Sequence, residues 1–184
     1  QYLRAESLHV ASIPVDSQAA LVETFASSGR VISVDAPRLP LDQSGRKQLE
    51  RMLASTTVFL PSEVEIGVIW SLEAGLDACR RLAEFGPEVV GIKMGDAGSL
   101  IWSREQQRGW HVPIYPTESI DATGAGDAFC GAFCAMYRRT RDPKAAAVSG
   151  TVTASFVIEG LRGLHRHRFH LPDVLAVFAD GAVG

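Results

Sequence analysis

The chain has 184 residues, 46% hydrophobic and 21% charged, with a net charge of −3 and a mean hydropathy of +0.08. That length can bury a core of its own, while the weak acidic balance offers no field for nucleic acid or an anionic membrane. No apolar run of about 18 residues and no secretory signal is recognised, and three cysteines make no disulfide framework, so the expected address is cytoplasmic.

In chain order, "LHVAS" (8–12) reads as a strand, and the spacing predicts an amphipathic helix over 17–28 that stops at Gly29. "RVISVDAP" (30–37) is a second strand, 45–54 is helical, and "TTVFLP" (56–61) is a third strand closed by proline. Helices over 63–70 and 72–85 lead to a fourth strand, "EVVGIKMG" (88–95). "GSLIWS" (98–103) and "GWHVPIY" (109–115) form a hairpin pair around the polar stretch 104–108. Helices are predicted over 125–140, 143–158 and 171–179. Apolar strands alternating with helices imply a mostly parallel sheet covered on both faces, and no repeat or linker divides the chain, which is expected to be one α/β domain over 1–184. In such sheets ligands bind where strands end and helices begin.

One segment at such a place carries the chemistry: "SIDATGAGDAFCGAF" (119–133). Gly124, Ala125 and Gly126 have almost no side-chain bulk, so their amides can approach a ligand closely. If the helix starts near Ala125, unpaired N–H groups and the helix dipole form an anion site suited to phosphate. Asp127 could take the proton of a hydroxyl attacking a bound phosphate. A first-turn acid is equally an ordinary partner of the helix dipole, and the residues alone leave both readings open. Two other glycine motifs do not fit. After Gly126 come Asp127 and Ala128, where a phosphate loop needs lysine and a hydroxyl, and Phe129 stands where the dinucleotide fingerprint needs its last glycine.

Other chemistry-bearing residues read as structure. Cys130 and Cys134 lie four apart in the helix over 125–140 with no further ligands nearby, as core thiols do. His165, His167 and His170 are interleaved with Arg166 and Arg168, which suits an exposed basic loop better than a metal. Trp70, Trp102 and Trp110 suit core or hairpin packing.

"DATGAGDAFCGAF" resembles the second signature of the ribokinase-like (PfkB-type) carbohydrate kinases. "VISVDAPR" is similar to that family's strand ending in Asp-Pro-x-x-Arg, although Ala36 and Pro37 shift the detail. "FLPSEVE" resembles its Asn-x-x-Glu segment, "GIKMGDAGSLIW" its nucleotide-side strand, turn and strand, and "TVTASFVIEGLRG" the late helix and loop that close over the nucleotide. The pieces fall in the family's order across nearly the whole chain.

The resemblance implies a ribokinase-like three-layer α/β/α fold and transfer of a phosphoryl group from ATP to a hydroxyl of a sugar or related small molecule. A second reading makes the acceptor a nucleoside or a sugar phosphate, and a non-catalytic, ligand-binding use of the fold is the third. It further implies that Asp127 is the base, with Gly124, Ala125 and Gly126 offering amides to the charge developing in transfer. Losing one such donor typically costs about 3 kcal/mol of barrier. Glu65 would help hold Mg2+ through water, with Ser62 standing where the family has asparagine. Asp121 and Thr123 would ligate a monovalent cation, K+, with carbonyls from the closing loop around Ser155 and Gly160. Lys93, Gly95 and Gly98 would lie beside the nucleotide, together with Ser155 and Gly160, although a strand lysine with a solvated head is the common case. Because family members are considerably longer at the front, the chain is expected to correspond to their rear portion, without the early strands, the β lid and most of the sugar pocket. Such a cut exposes a sheet edge that favours association, so a homodimer is expected, and the isolated chain is expected to bind ATP weakly and not to turn over sugar.

Overall fold

A computed structural model describes residues 5–117, 120–159 and 182–183. The elements are β1 (Ser7–Val10), α1 (Val15–Phe25), β2 (Val31–Val34), α2 (Gln43–Leu53), β3 (Val58–Phe59), α3 (Glu63–Trp70), α4 (Leu76–Ala83), β4 (Val89–Lys93), β5 (Ser99–Ser103), β6 (Arg108–Val112), α5 (Ala125–Thr140), α6 (Pro143–Ile158) and β7 (Ala182–Val183). One sheet holds the strands in sequence order from β1 to β7. β1 to β4 run parallel, and β5, β6 and β7 are each added antiparallel to the strand before.

That order explains the layers. Crossovers of one hand between parallel strands laid down in one direction must fall on one face. Helices α1 to α4 accordingly pack with Ile32, Val34, Phe59, Val90, Ile92 and Trp102. The other face carries Val31, Val58, Leu60, Val89, Ile101 and Val112 against Phe129, Phe133 and Tyr137 of α5 and Ala146 and Ala147 of α6. Alternate residues of one strand serve opposite cores, which is why the strands read as continuous apolar runs. α5 lies over β1 and β2, and α6 over β5 and β6. The two helices close on each other at Gly150, where a Cβ would sit 2.8 Å from the Phe129 ring.

The expected helices over 125–140 and 143–158 coincide with α5 and α6. α6 starts where Asp142 accepts from the Lys144 and Ala145 N–H groups, with proline in the first turn. α2 begins two residues earlier than expected, at Gln43, because Asp42 accepts from the Gly45 N–H at 2.7 Å. α1 likewise starts earlier, at Val15, directly behind Pro14. The third strand keeps only Val58 and Phe59 of the expected 56–61: the Thr56 N–H is taken by the Leu53 carbonyl behind α2, and Pro61 has no N–H for a ladder. The helix expected over 171–179 lies outside the described residues, and β7 has no counterpart among the expected strands. Trp102 and Trp110 are buried, and Trp70 stacks on Phe85 while its Nε1 donates to Glu50 at 2.9 Å. All three cysteines are buried and free. No helix among the described residues is long and apolar enough to cross a membrane.

Candidate active site

The glycine-rich segment folds as a turn that hands directly into α5. The Ala122 carbonyl accepts the Ala125 N–H at 3.1 Å, and Gly124 sits between them at φ 84°, ψ −3°. Those are the angles of the third residue of a type II turn, a position that calls for glycine. A Cβ there would find no atom nearer than 3.8 Å, so the requirement is the backbone angle and not space. This corrects one expectation: the Ala125 amide is engaged in closing the turn. The amides of Gly126 and Asp127 have no protein acceptor among the described residues, and both residues are exposed. The Asp127 carboxylate likewise has no hydrogen-bond partner among the described residues. The first turn of α5 thus presents two free donors and one free carboxylate.

Lys93, expected beside the nucleotide, does not have the solvated head usual for a strand lysine; its side chain is turned inward. Its Nζ donates to Asp35 Oδ1 at 2.9 Å and Oδ2 at 2.8 Å and reaches Cys130 Sγ at 3.5 Å. A Cβ on Gly126 would lie 3.9 Å from that nitrogen, so the ammonium sits under the first turn of α5. Burial opposes its charge, but Cys130, Asp35 and Glu65 together prevail and raise its pKa above the ordinary lysine value. Burial pushes the Cys130 thiol up to about 12, so it is a packing group and not a nucleophile. His9 of β1 shares a hydrogen bond with Ser33 Oγ through Nδ1 at 3.1 Å, and its Nε2 is buried without a partner among the described residues. Burial holds His9 below the usual histidine pKa. The Asp35 charge opposes this, Lys93 reinforces it, and Asp127 is near enough to oppose it as well.

Glu65 belongs to the first turn of α3, where Ser62 caps the helix. The Ser62 N–H and Oγ both donate to Glu65 Oε2, at 2.7 and 2.8 Å, and the Glu65 N–H donates back to Ser62 Oγ at 3.3 Å. This is a full capping box. Serine in place of the family's asparagine therefore keeps the helix start and holds the carboxylate by one oxygen. Oε1 has no partner among the described residues. No group of three His, Cys, Asp or Glu that could cage a metal occurs among them. A single half-buried carboxylate oxygen fits Mg2+, which keeps most of its waters and leans on substrate phosphates.

Asp121 and Thr123 turn toward each other: the Thr123 N–H donates to Asp121 Oδ1 at 2.9 Å. This bond, with help from the Thr123 hydroxyl, holds the Asp121 carboxyl below its ordinary pKa. The Ile120 and Asp121 N–H groups both donate to the Ile158 carbonyl, at 3.0 and 3.1 Å, which ties this loop to the end of α6. Ser155 is not on a loop. It is buried within α6, its hydroxyl donates to the Val152 carbonyl at 2.7 Å, and its own carbonyl accepts the Glu159 N–H. That corrects the expectation that it lines a closing loop. Gly160, with the three histidines of 165–170, lies outside the described residues. Gly95 and Gly98 form a tight turn between β4 and β5, at φ 53° and 85°. A Cβ on Gly98 would stand 2.2 Å from the Val112 carbonyl oxygen, so this glycine is demanded by the passing strand.

A profile of the pfkB family of carbohydrate kinases matches residues 1–162. The chain belongs to the pfkB family. It is 34% identical over 145 residues to an uncharacterized sugar kinase of Archaeoglobus fulgidus, covering 79% of this chain and 55% of that one. It is 34% identical over 143 residues to a cytidine kinase of Thermococcus kodakarensis, covering 77% and 51%. Among solved structures it is similar to one from E. coli described as a ribokinase II in complex with ATP and Mg2+. There the TM-score is 0.70 at 26% identity, over 93% of this chain and 58% of that one. The fold is therefore ribokinase-like α/β, as the resemblance implies. The chain spans about half the length of the curated relatives it matches.

Two residues beside the first turn of α5 are given no role by the sequence: Asp35 reads there as the acid of a strand end similar to the family's Asp-Pro-x-x-Arg segment, and His9 only as part of a strand. Asp35 and Lys93 stand at the ends of two predicted strands of a parallel sheet, and that shared end is the available signal. The partner of each, 58 positions away, needs the strand order.

Proposed function

We propose that the protein transfers the terminal phosphoryl group of ATP to a hydroxyl of a sugar or nucleoside, with Asp127 as general base. The observation that carries this is the first turn of α5, where the Gly126 and Asp127 amides and the Asp127 carboxylate are all without protein partners among the described residues in a chain of the pfkB family. The names of the sugar kinase and cytidine kinase relatives support the acceptor class.

The transfer passes through a loose transition state that asks mainly for alignment and charge stabilisation. The Gly126 and Asp127 N–H groups, reinforced by the helix dipole, bind the oxygens of the transferring group. The type II turn at Gly124 aims those groups outward. The Asp127 carboxylate accepts a hydrogen bond from the acceptor hydroxyl and fixes its direction of approach. It takes the proton late, as the new O–P bond forms and the hydroxyl has become strongly acidified. Glu65 Oε1 is the atom we assign to Mg2+, through water. When bound, that ion neutralises phosphate charge. Asp121, kept anionic by Thr123, is the group we assign to K+ in the loop tied to Ile158.

The test is ADP release by the full-length native protein that carries this chain, with ATP and Mg2+, across a panel of pentoses, hexoses and nucleosides, with and without K+. Acceptor-dependent ADP with at least one of them is expected, and K+ is expected to raise the rate. No acceptor-dependent ADP across the panel would overturn the proposal.

A further inference from the structure

Directly beneath the first turn of α5 lies an ion pair that the mechanism above leaves unused. Asp35 follows β2 and is 5% exposed. Lys93 ends β4, with β3 between the two strands. Their side chains meet in a two-pronged contact of 2.8 and 2.9 Å that is held from several directions. The Ala36 N–H donates to Asp35 Oδ1 at 2.8 Å, and the buried Gln18 donates to the Asp35 carbonyl at 3.1 Å. The Lys93 N–H donates to the Pro61 carbonyl at 2.9 Å, one residue before the cap of α3. Cys130, one turn into α5, touches the ammonium at 3.5 Å. One lysine therefore joins the ends of β2 and β4, the start of α3 with Glu65, and the start of α5 with Asp127.

Stability does not account for such a pair. Taking two charges from water costs about what their attraction returns, and well-packed apolar residues serve as well or better. The arrangement is also asymmetric. The ammonium is the end of the pair that faces Gly126, and 16% of the Lys93 side chain still reaches solvent against 8% for Asp35. The ammonium thus lies 3.9 Å from where a Gly126 Cβ would stand, beside the turn that carries the free amides.

Resting on the phosphoryl-transfer reading above, we propose that Lys93 is a positioning residue: held by Asp35, it fixes the first turn of α5 over the strand ends and adds positive charge beneath the Gly126 amide, where the terminal phosphoryl group of ATP is held.

The test compares Lys93→Met, Lys93→Arg, Asp35→Asn and the double variant Lys93→Met/Asp35→Asn, in which the asparagine side chain keeps an acceptor for the Ala36 N–H. Urea midpoints, ATP affinity with Mg2+ by calorimetry, and kcat with acceptor KM are read on the full-length native protein. Lys93→Met, which strands a buried carboxylate, is expected to lower the urea midpoint, and the double variant is expected to recover most of that loss. The double variant should nonetheless bind ATP at least about tenfold more weakly, the size of one lost charge-assisted contact, and show reduced kcat with acceptor KM little changed. Lys93→Arg, which keeps the charge, should hold ATP within about threefold of the wild type. A double variant that regains both stability and wild-type ATP affinity makes the pair purely structural and overturns the inference. So does a Lys93→Arg variant that loses as much affinity as Lys93→Met. Should Lys93→Met and Asp35→Asn fail to fold, the double variant and Lys93→Arg still decide. Failure of the underlying phosphoryl-transfer reading is separate, because it shows in the wild type as absence of acceptor-dependent ADP.

Discussion

Replacing Ser62 by alanine removes two contacts of the α3 capping box at once. The Glu65 N–H loses its side-chain acceptor at 3.3 Å, and Glu65 Oε2 loses the hydroxyl donor at 2.8 Å while keeping the Ser62 N–H at 2.7 Å. Loss of a serine cap typically costs about 1 kcal/mol. A hydrogen bond to a charged group is worth about 1.5 kcal/mol or more when buried, and the half-exposed position of Ser62 lowers that share. The expected sum is about 2 kcal/mol, or a fall in Tm of roughly 4–8 °C for a chain of this size. Denaturant unfolding of Ser62→Ala, Glu65→Ala and the double variant checks it, because the two effects must overlap by about 1 kcal/mol if the side chains are partners. Ser62→Asn retains a capping oxygen and should lie within about 0.5 kcal/mol of the wild type. Additive single effects, or a silent Ser62→Ala, would refute the capping box as the reason for serine here.

Gly150→Ala places a Cβ 2.9 Å from the Phe129 backbone oxygen as well as against its ring. It should destabilise by about 2–3 kcal/mol in urea unfolding, whereas Gly131→Ala, exposed on α5 with nothing within 4 Å, should stabilise by about 0.5–1 kcal/mol. His9, held below the ordinary histidine value of 6.5 chiefly by burial, stays neutral in the folded chain at pH values where the unfolded chain already takes up a proton. Its contribution is therefore complete above that value and is lost as pH falls below it. His9→Gln should flatten the fall in stability below pH 6.5, and an unchanged pH profile would contradict the burial of this ring.

Much of this is legible in the chain. Apolar strands with helices between them imply the layered sheet, because a strand covered on both faces has no polar side to show. The bounds of α5 and α6 can be read because their signals are local: glycine before Ala125, and Asp142 followed by Pro143. The glycine-rich turn is also legible as a helix start, but which amides stay free is not. That depends on whether Ala125 closes the turn, a choice of backbone angle at Gly124 that composition does not state. The partner of Lys93 is hidden for a similar reason. A lysine at a strand end is usually solvated, and only the order of β2, β3 and β4 brings Asp35 within its reach. Analogy puts Ser155 on a loop, while its local surroundings in "TVTASFVI" continue the helix.

The most direct measurement of the central claim is the single-turnover rate of ADP formation by Asp127→Asn beside the wild type, with ATP, Mg2+ and a productive acceptor saturating. Asparagine keeps the size of the side chain and leaves the Gly126 and Asp127 amides in place, so ATP affinity should hold within about threefold. The rate should fall by roughly 10²–10⁴-fold, the usual contribution of a positioned base. A variant that forms ADP at the wild-type rate would show that the first turn of α5 does not accept the proton.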